Sequence, residues 1–306
     1  MNIAIIGIGG VGGYYGGRLA RRYEAGDEHR IAFVARGAHL EAIRKQGLRV
    51  VTPDGEFVAR PAQATDRPGD LGPLDLVLIT VKGYDLDGAA GALAEVTGEA
   101  TVVIPLENGV DTAERLGKIL PRARVLNGTV YISSRIAAPG VVQQLGGAGS
   151  LFFGPETGPA APFRTIESLF LEAGIQAVLT EAVAVEVWKK FLFISPVAGA
   201  TALFGKSLGG ILEDPEALRL LEGMMNEVDR LARARGIGLP ANAVAQAMET
   251  VARFPYETKT SFQVDMENGR KTEIETFMGY VVRAGQALGI DTPFNRRVYD
   301  ALLAKS

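Results

Sequence analysis

Through its first 180 positions the chain alternates short apolar runs with stretches of helical spacing, and glycine or proline closes most of the runs. Residues 2–6, 31–34, 74–81, 101–105, 125–132, 141–144 and 175–179 read as strands. Between them, residues 11–22, 86–96, 110–120 and 163–172 carry apolar positions at helical intervals. Continuous apolar strands alternating with helices predict a parallel sheet covered on both faces, the doubly wound α/β arrangement. The polar stretch 21–30 delays the second strand, and 146–149 and 154–162 read as loops because glycine and proline crowd them.

After residue 180 the strand signal stops. Helical spacing runs through 181–204, 214–235, 240–253, 273–288 and 293–302. Gly236 and Gly289 stand where helix C-terminal caps belong, and Asp214-Pro215 has the form of an N-cap followed by proline. The pattern divides the chain into an α/β domain at 1–180 and an all-helical domain at 181–306. Pro196 falls inside the first helix of the second domain and predicts a kink, since it removes one backbone hydrogen bond.

Composition narrows the chemistry. The 306 residues include 32 basic and 35 acidic side chains, a balance that argues against a nucleic-acid surface. There is no cysteine, so disulfides, thiolate metal sites and a cysteine nucleophile are excluded. His29 and His39 are too few for a histidine-rich metal centre. The opening MNIAIIGIGGVGG lacks the basic leader and long apolar stretch of a signal peptide, and no window reads as a membrane span. The expectation is a cytoplasmic protein that binds neither membrane nor metal. The apolar helices of the second half offer surface for a homodimer.

Gly7-Ile8-Gly9-Gly10-Val11-Gly12 is a GxGxxG fingerprint between a strand and an amphipathic helix, the setting a dinucleotide-binding Rossmann motif requires. Gly7 permits the tight turn, Gly9 lets backbone approach a pyrophosphate, and Gly12 lets helix pack on strand. An NAD enzyme places a carboxylate near the end of the second strand. Here that end reads Val34-Ala35-Arg36, and a guanidinium suits the 2′-phosphate of NADP(H). The plain alternative is a solvated arginine.

Three further features carry possible chemistry. Lys82 stands at the end of the LDLVLITV strand, where it reaches cofactor or substrate or lies on an exposed loop. Asn108, in Glu107-Asn108-Gly109, follows the next strand and either meets a substrate oxygen or the nicotinamide side, or forms a simple Asn-Gly turn. Lys190 sits in an apolar helix with Val183, Val187, Phe191 and Ile194 close in sequence. If buried, its pKa falls toward the range of a general acid, with Glu273 available to orient it; if not, its head snorkels to water.

Taken together, GIGGVG, the ARG after the second strand, ITVK, ENG, WKK, SFQVD and KTEIE resemble the ketopantoate reductase family over essentially the whole chain. The resemblance implies a Rossmann domain followed by a helical domain and reduction of a 2-oxo acid by NADPH. It implies Lys190 as the general acid and Glu273 as its orienting partner. It implies Asn108 and Ser261 as substrate ligands, Lys82 beside cofactor and substrate, and Arg36 on the 2′-phosphate.

The same resemblance marks departures. Family members that make pantoate carry asparagines one and two turns after the lysine and another before the serine. Those positions here are Ile194, Ala198 and Thr258, all assigned to the substrate wall. The expected activity is reduction of ketopantoate to D-pantoate, as in pantothenate biosynthesis. The alternative is another branched or aromatic 2-oxo acid, as in D-mandelate dehydrogenases, because an apolar wall discriminates weakly against an added hydroxyl. A third class, a non-catalytic NADP-binding sensor, is disfavoured by the retained polar residues.

Overall fold

The computed structural model describes residues 1–24 and 29–305. Residues 25–28, within the polar stretch 21–30, and residue 306 lie outside the described residues. The chain divides into two compact units, 1–183 and 184–306.

The first unit runs β1 (Asn2–Ile6), α1 (Gly10–Arg22), β2 (Arg30–Val34), α2 (Gly37–Gln46), β3 (Leu48–Thr52), β4 (Gly55–Ala59), β5 (Gln63–Thr65), β6 (Leu76–Ile79), α3 (Leu86–Gly91), β7 (Val102–Pro105), α4 (Thr112–Ile119), β8 (Arg124–Val125), β9 (Asn127–Ala138), β10 (Val141–Gly154), α5 (Arg164–Glu172) and β11 (Gln176–Leu179). Six strands in the order β5-β2-β1-β6-β7-β8 form a sheet that is parallel throughout. Its strands are apolar at successive positions because both faces are covered. Ile3 and Ile5 of β1 enter one core while Ala4 and Ile6 enter the other.

The remaining strands form a second, mixed sheet that the apolar pattern does not separate from the first. Its order is β11-β10-β3-β4, with β9 antiparallel to β10. Residues 146–149, expected as a loop, lie inside β10. Their glycines accompany shifts in the β9–β10 register, so the segment is an irregular ladder rather than a connection. The β3–β4 hairpin closes on Pro53-Asp54, with Thr52 paired to Gly55.

Helix α1 lies between the two sheets, and its glycines explain how. A Cβ on Gly16 would sit 3.0 Å from Ile5 of the parallel sheet. Cβ atoms on Gly13 and Gly17 would meet Val142 and Val50 of the mixed sheet at 2.5 and 2.6 Å. Glycines on both faces of the helix let both sheets approach its backbone, while Tyr15 and Leu19 fill the core beside them.

The second unit contains α6 (Val183–Phe204), α7 (Leu208–Glu213), α8 (Pro215–Ala234), α9 (Ala243–Ala252), α10 (Ser261–Glu267), a π-helical turn at Glu275–Gly279, α11 (Tyr280–Leu288) and α12 (Pro293–Leu303). The short helices α7 and α10 escape the periodicity reading, which needs about three turns. The α8 N-cap is Asp214, whose carboxylate accepts from the Glu216 and Ala217 N–H groups at 2.9 and 3.2 Å. Gly289 ends α11 at φ +67°. Fully buried Glu227 of α8 caps α12, accepting from the Phe294 and Asn295 N–H groups at 2.8 and 2.9 Å and from Asn295 Nδ2 at 2.7 Å. Pro196 lies inside α6, which continues as one helix from Val183 to Phe204. By length and composition α6 also passes as a membrane span, but 61% of its apolar window is buried within the protein.

Candidate active site

In a parallel sheet all strand C-termini face one edge. On adjacent strands β2, β1, β6 and β7 that edge carries, in turn, Arg36, the 7–12 glycine loop, Lys82 and Asn108. The sequence candidates of the first unit therefore converge on one side of one sheet.

The loop is shaped by what a side chain would strike. Gly7 has φ +95°, and its Cβ would lie 2.8 Å from Val81. A Cβ on Gly12 would lie 2.1 Å from the Gly7 carbonyl oxygen, and one on Gly10 would lie 2.3 Å from that of Ser134. Gly9 differs, since its Cβ would meet nothing within 4 Å. That open space is what a close-approaching ligand would use. The Thr80 hydroxyl donates to the Ile6 and Gly7 carbonyls at 2.9 and 2.7 Å, clasping the ends of β6 and β1. Ile8 is buried and Val11 packs against the core, anchoring the loop from below. Helix α1 opens on Gly9 with no side-chain cap and no acidic residue in its first turn. Its first N–H groups are thus available to an anion, and the residues present fit a dinucleotide pyrophosphate.

Arg36 immediately precedes α2 and is exposed, with no ion pair to another described residue. Lys82 is half-buried and begins a single 3-10 turn after β6. Asn108 is half-buried beside Gly109, whose φ of +131° makes the bend.

The second unit builds around α6. One face of this helix, Glu186, Lys189, Lys190, Phe193 and Ile194, remains partly open, while Val183, Val187 and Phe191 are buried. Lys189 is paired with Glu186 at 2.8 Å. Lys190 differs: burial pushes its ammonium from 10.5 down to about 8, and the nearby Glu273 carboxylate pulls it back up. Solvent still touches part of the residue. Glu273 is only 5% exposed. Its carbonyl accepts from the Thr276 and Phe277 N–H groups, both at 3.1 Å, as the chain enters the π-helical turn.

An aromatic cluster joins the segments that carry these groups. Phe277 packs with Phe191 and Phe262, at ring separations of 6.4 and 5.9 Å. Tyr280 meets Phe191 and Trp188 edge-on. Phe191 follows Lys190, Phe262 follows Ser261, and Phe277 lies one turn past Glu273, so one packed cluster fixes all three backbones.

Ser261 is exposed as the first residue of α10. The Thr260 hydroxyl caps that helix, accepting from the Gln263 N–H at 3.1 Å, and meets the Thr201 hydroxyl of α6 at 3.1 Å. Thr258 is half-buried, its carbonyl accepting from the Leu208 N–H at 2.9 Å. Ile194 and buried Ala198 extend the α6 wall beyond Lys190. Phe193 beside them stacks on Phe254 at 5.7 Å and 13°.

Thr80, Thr260 and Phe277 support the site without being among the sequence candidates. The T-x-x-Q spacing of Thr260 and Gln263 is a helix-start signal and could have exposed α10. Thr80 and Phe277 leave no local signal, because their partners are distant in sequence.

Comparison with known proteins completes the description. The family profile for ketopantoate reductase PanE/ApbA matches residues 3–158, and its C-terminal counterpart matches 175–306. A 2-dehydropantoate 2-reductase of Halobacterium salinarum is 32% identical over 98% of this chain and 97% of its own. The crystal structure of a 2-dehydropantoate 2-reductase from Porphyromonas gingivalis is 37% identical, covers 99% of both chains and superposes with a TM-score of 0.86. A D-mandelate dehydrogenase solved with NADH and anilino(oxo)acetate shares the fold, with a TM-score of 0.87 at 20% identity over 100% of this chain and 98% of that one.

Proposed function

This chain belongs to the ketopantoate reductase family, a family of oxidoreductases, and from that premise we propose that it reduces 2-dehydropantoate to D-pantoate with NADPH. The observation that carries the reading is the Lys190–Glu273 pair, a desolvated ammonium beside a buried carboxylate.

When bound, NADPH supplies a hydride to C2 of the 2-oxo acid. The protein's own residues do the rest. Gly9, Gly10 and the uncapped start of α1 hold the pyrophosphate, and Arg36 pairs with the 2′-phosphate. Lys82 and Asn108 border cofactor and substrate. Ser261 and Asn108 hold the substrate by hydrogen bonds. Lys190 stabilises the charge that grows on the carbonyl oxygen and delivers a proton to it. An ammonium with a pKa of about 8 keeps its proton at neutral pH yet releases it more readily than an exposed lysine at 10.5. Glu273 keeps that lysine charged and aimed.

The apolar wall of Ile194, Ala198 and the Phe193–Phe254 stack supports a second reading, in which the substrate is another branched or aromatic 2-oxo acid. Initial rates of NADPH oxidation with ketopantoate and benzoylformate, measured side by side, decide between them. A clear preference for ketopantoate is expected. A preference for benzoylformate transfers the assignment to the second reading, and turnover of neither refutes both. The same assay with NADH in place of NADPH tests the role of Arg36.

A further inference from the structure

His39 is not among the residues assigned to cofactor or substrate, yet the structure ties it to the hairpin that packs on the nucleotide loop. It lies in the first turns of α2, three residues after Arg36. Its Nδ1 accepts the Gly140 N–H at 3.0 Å, from the turn between β9 and β10. That bond leaves the ring proton on Nε2, because Nδ1 is occupied as an acceptor. Nε2 is buried and makes no hydrogen bond to another described residue.

The turn that His39 grips belongs to the hairpin behind that loop. A Cβ on Gly10 would lie 2.3 Å from the Ser134 carbonyl of β9, so the hairpin presses directly on the start of α1. Gly140 packs as closely on α2: its Cβ would meet Ala42 at 2.9 Å. His39 is therefore the side chain that joins the first turn of α2, just after Arg36, to the turn of that hairpin.

We propose that His39 is a positioning residue for cofactor binding: its Nδ1 ties the β9–β10 turn to the first turn of α2, just after Arg36, and so fixes α2 against the hairpin that packs on Gly10. The inference rests on the reading of residues 7–12 as the dinucleotide site. It also makes cofactor binding proton-sensitive. Burial lowers the His39 pKa from its ordinary 6.5 and the Ile8 backbone partly opposes this, so the ring is neutral at pH 7. A second proton would have to sit on Nδ1, facing the Gly140 N–H, where two donors would abut. Neither the 7–12 loop nor the Ala138–Gly140 turn carries an ionisable side chain. On the surrounding elements Glu41 is paired with Arg44 at 3.0 Å and Arg49 with Glu56 at 2.8 Å, while Arg135 bonds Gln143 at 3.3 Å and Arg36 is exposed.

The test is the dissociation constant of NADPH, read by its fluorescence, for the wild type, His39→Phe and His39→Asn between pH 5.5 and 8. Asparagine retains an acceptor for the Gly140 N–H and does not titrate. His39→Phe is expected to weaken binding at pH 7.5 by ~5-fold or more, the scale of one hydrogen bond lost at a buried N–H, with His39→Asn recovering most of it. Wild-type affinity is expected to fall more steeply on acidification than that of His39→Asn, since the 2′-phosphate titrates equally in both. Equal affinity of His39→Phe and wild type, or identical pH dependence of wild type and His39→Asn, overturns the proposal. If His39→Phe fails to fold, the comparison with His39→Asn decides alone. A wild type that does not bind NADPH refutes the loop reading itself, and the proposal with it.

Discussion

Replacing Lys190 with methionine should abolish turnover and yet make the protein more stable. The side chains are similar in length, and methionine removes the desolvated charge while leaving the Glu186–Lys189 pair on the same face intact. The ammonium's pKa lies at about 8 in the folded chain against an ordinary 10.5. At ~1.4 kcal/mol per pH unit, that interval amounts to about 3 kcal/mol of disfavoured charge. The attraction of Glu273 is already contained in that net value. Because solvent reaches part of the residue, ~1–3 kcal/mol is the realistic gain, roughly 3–10 °C in melting temperature. The pH dependence identifies the cause. Below pH 8 the lysine is protonated in both folded and unfolded chains, and the folded state bears the full cost. Between pH 8 and 10.5 the folded protein sheds the proton while the unfolded chain keeps it, so wild-type stability climbs toward that of the variant. Urea titrations of wild type and Lys190→Met at pH 7, 9 and 10.5 measure the gap directly. A variant less stable than wild type at pH 7, or a gap that does not shrink toward pH 10.5, would refute the reasoning.

Three other outcomes are expected. Glu273→Gln removes the carboxylate that raises the Lys190 pKa, so the alkaline limb of kcat against pH should move down from about 8, by ~1 unit or more; an unmoved limb rules out the orienting role. Gly9→Ala should leave the melting temperature unchanged and weaken NADPH binding at least tenfold, whereas Gly12→Ala, whose Cβ would lie 2.1 Å from the Gly7 carbonyl, should destabilise the fold by ~1–3 kcal/mol; equal melting temperatures for the two variants would contradict that distinction. Glu227→Ala uncaps buried α12 and orphans the Phe294 and Asn295 donors, which should cost ~2–4 kcal/mol by urea titration without changing the KM for the 2-oxo acid.

The parallel sheet was legible because its strands are continuous apolar runs and the fingerprint follows the first of them directly. The mixed sheet was not. Its strands β3 and β4 are short and half-exposed, and β10 carries three glycines in the middle of its length, which mimic a loop. Pro-Asp-Gly at 53–55 was a usable hairpin signal. In the site, Lys190 could be singled out as a charge on an apolar face, but nothing in sequence spacing joins it to Glu273, more than eighty positions away. The aromatic cluster of Phe191, Phe262 and Phe277 makes that connection, and it exists only in three dimensions. Pro196 removes one hydrogen bond of many in a 22-residue helix, and α6 runs on through it.

The five glycines within the thirteen residues of α1 also govern when this part of the chain can form. At ~0.5–1 kcal/mol each relative to alanine, they leave the segment roughly 3–5 kcal/mol short of helical propensity. It cannot be a helix on its own and must wait for the surfaces that press on it. Those include Val142 and Ser134, on strands completed only at Gly154. During synthesis the β1–α1 segment therefore emerges before those strands and remains unstructured while ~140 further residues are added, on the order of 10–30 s at ribosomal rates. Throughout that interval the apolar β1 segment is exposed to chaperones and to aggregation, and nucleotide cannot assist folding until the end of it.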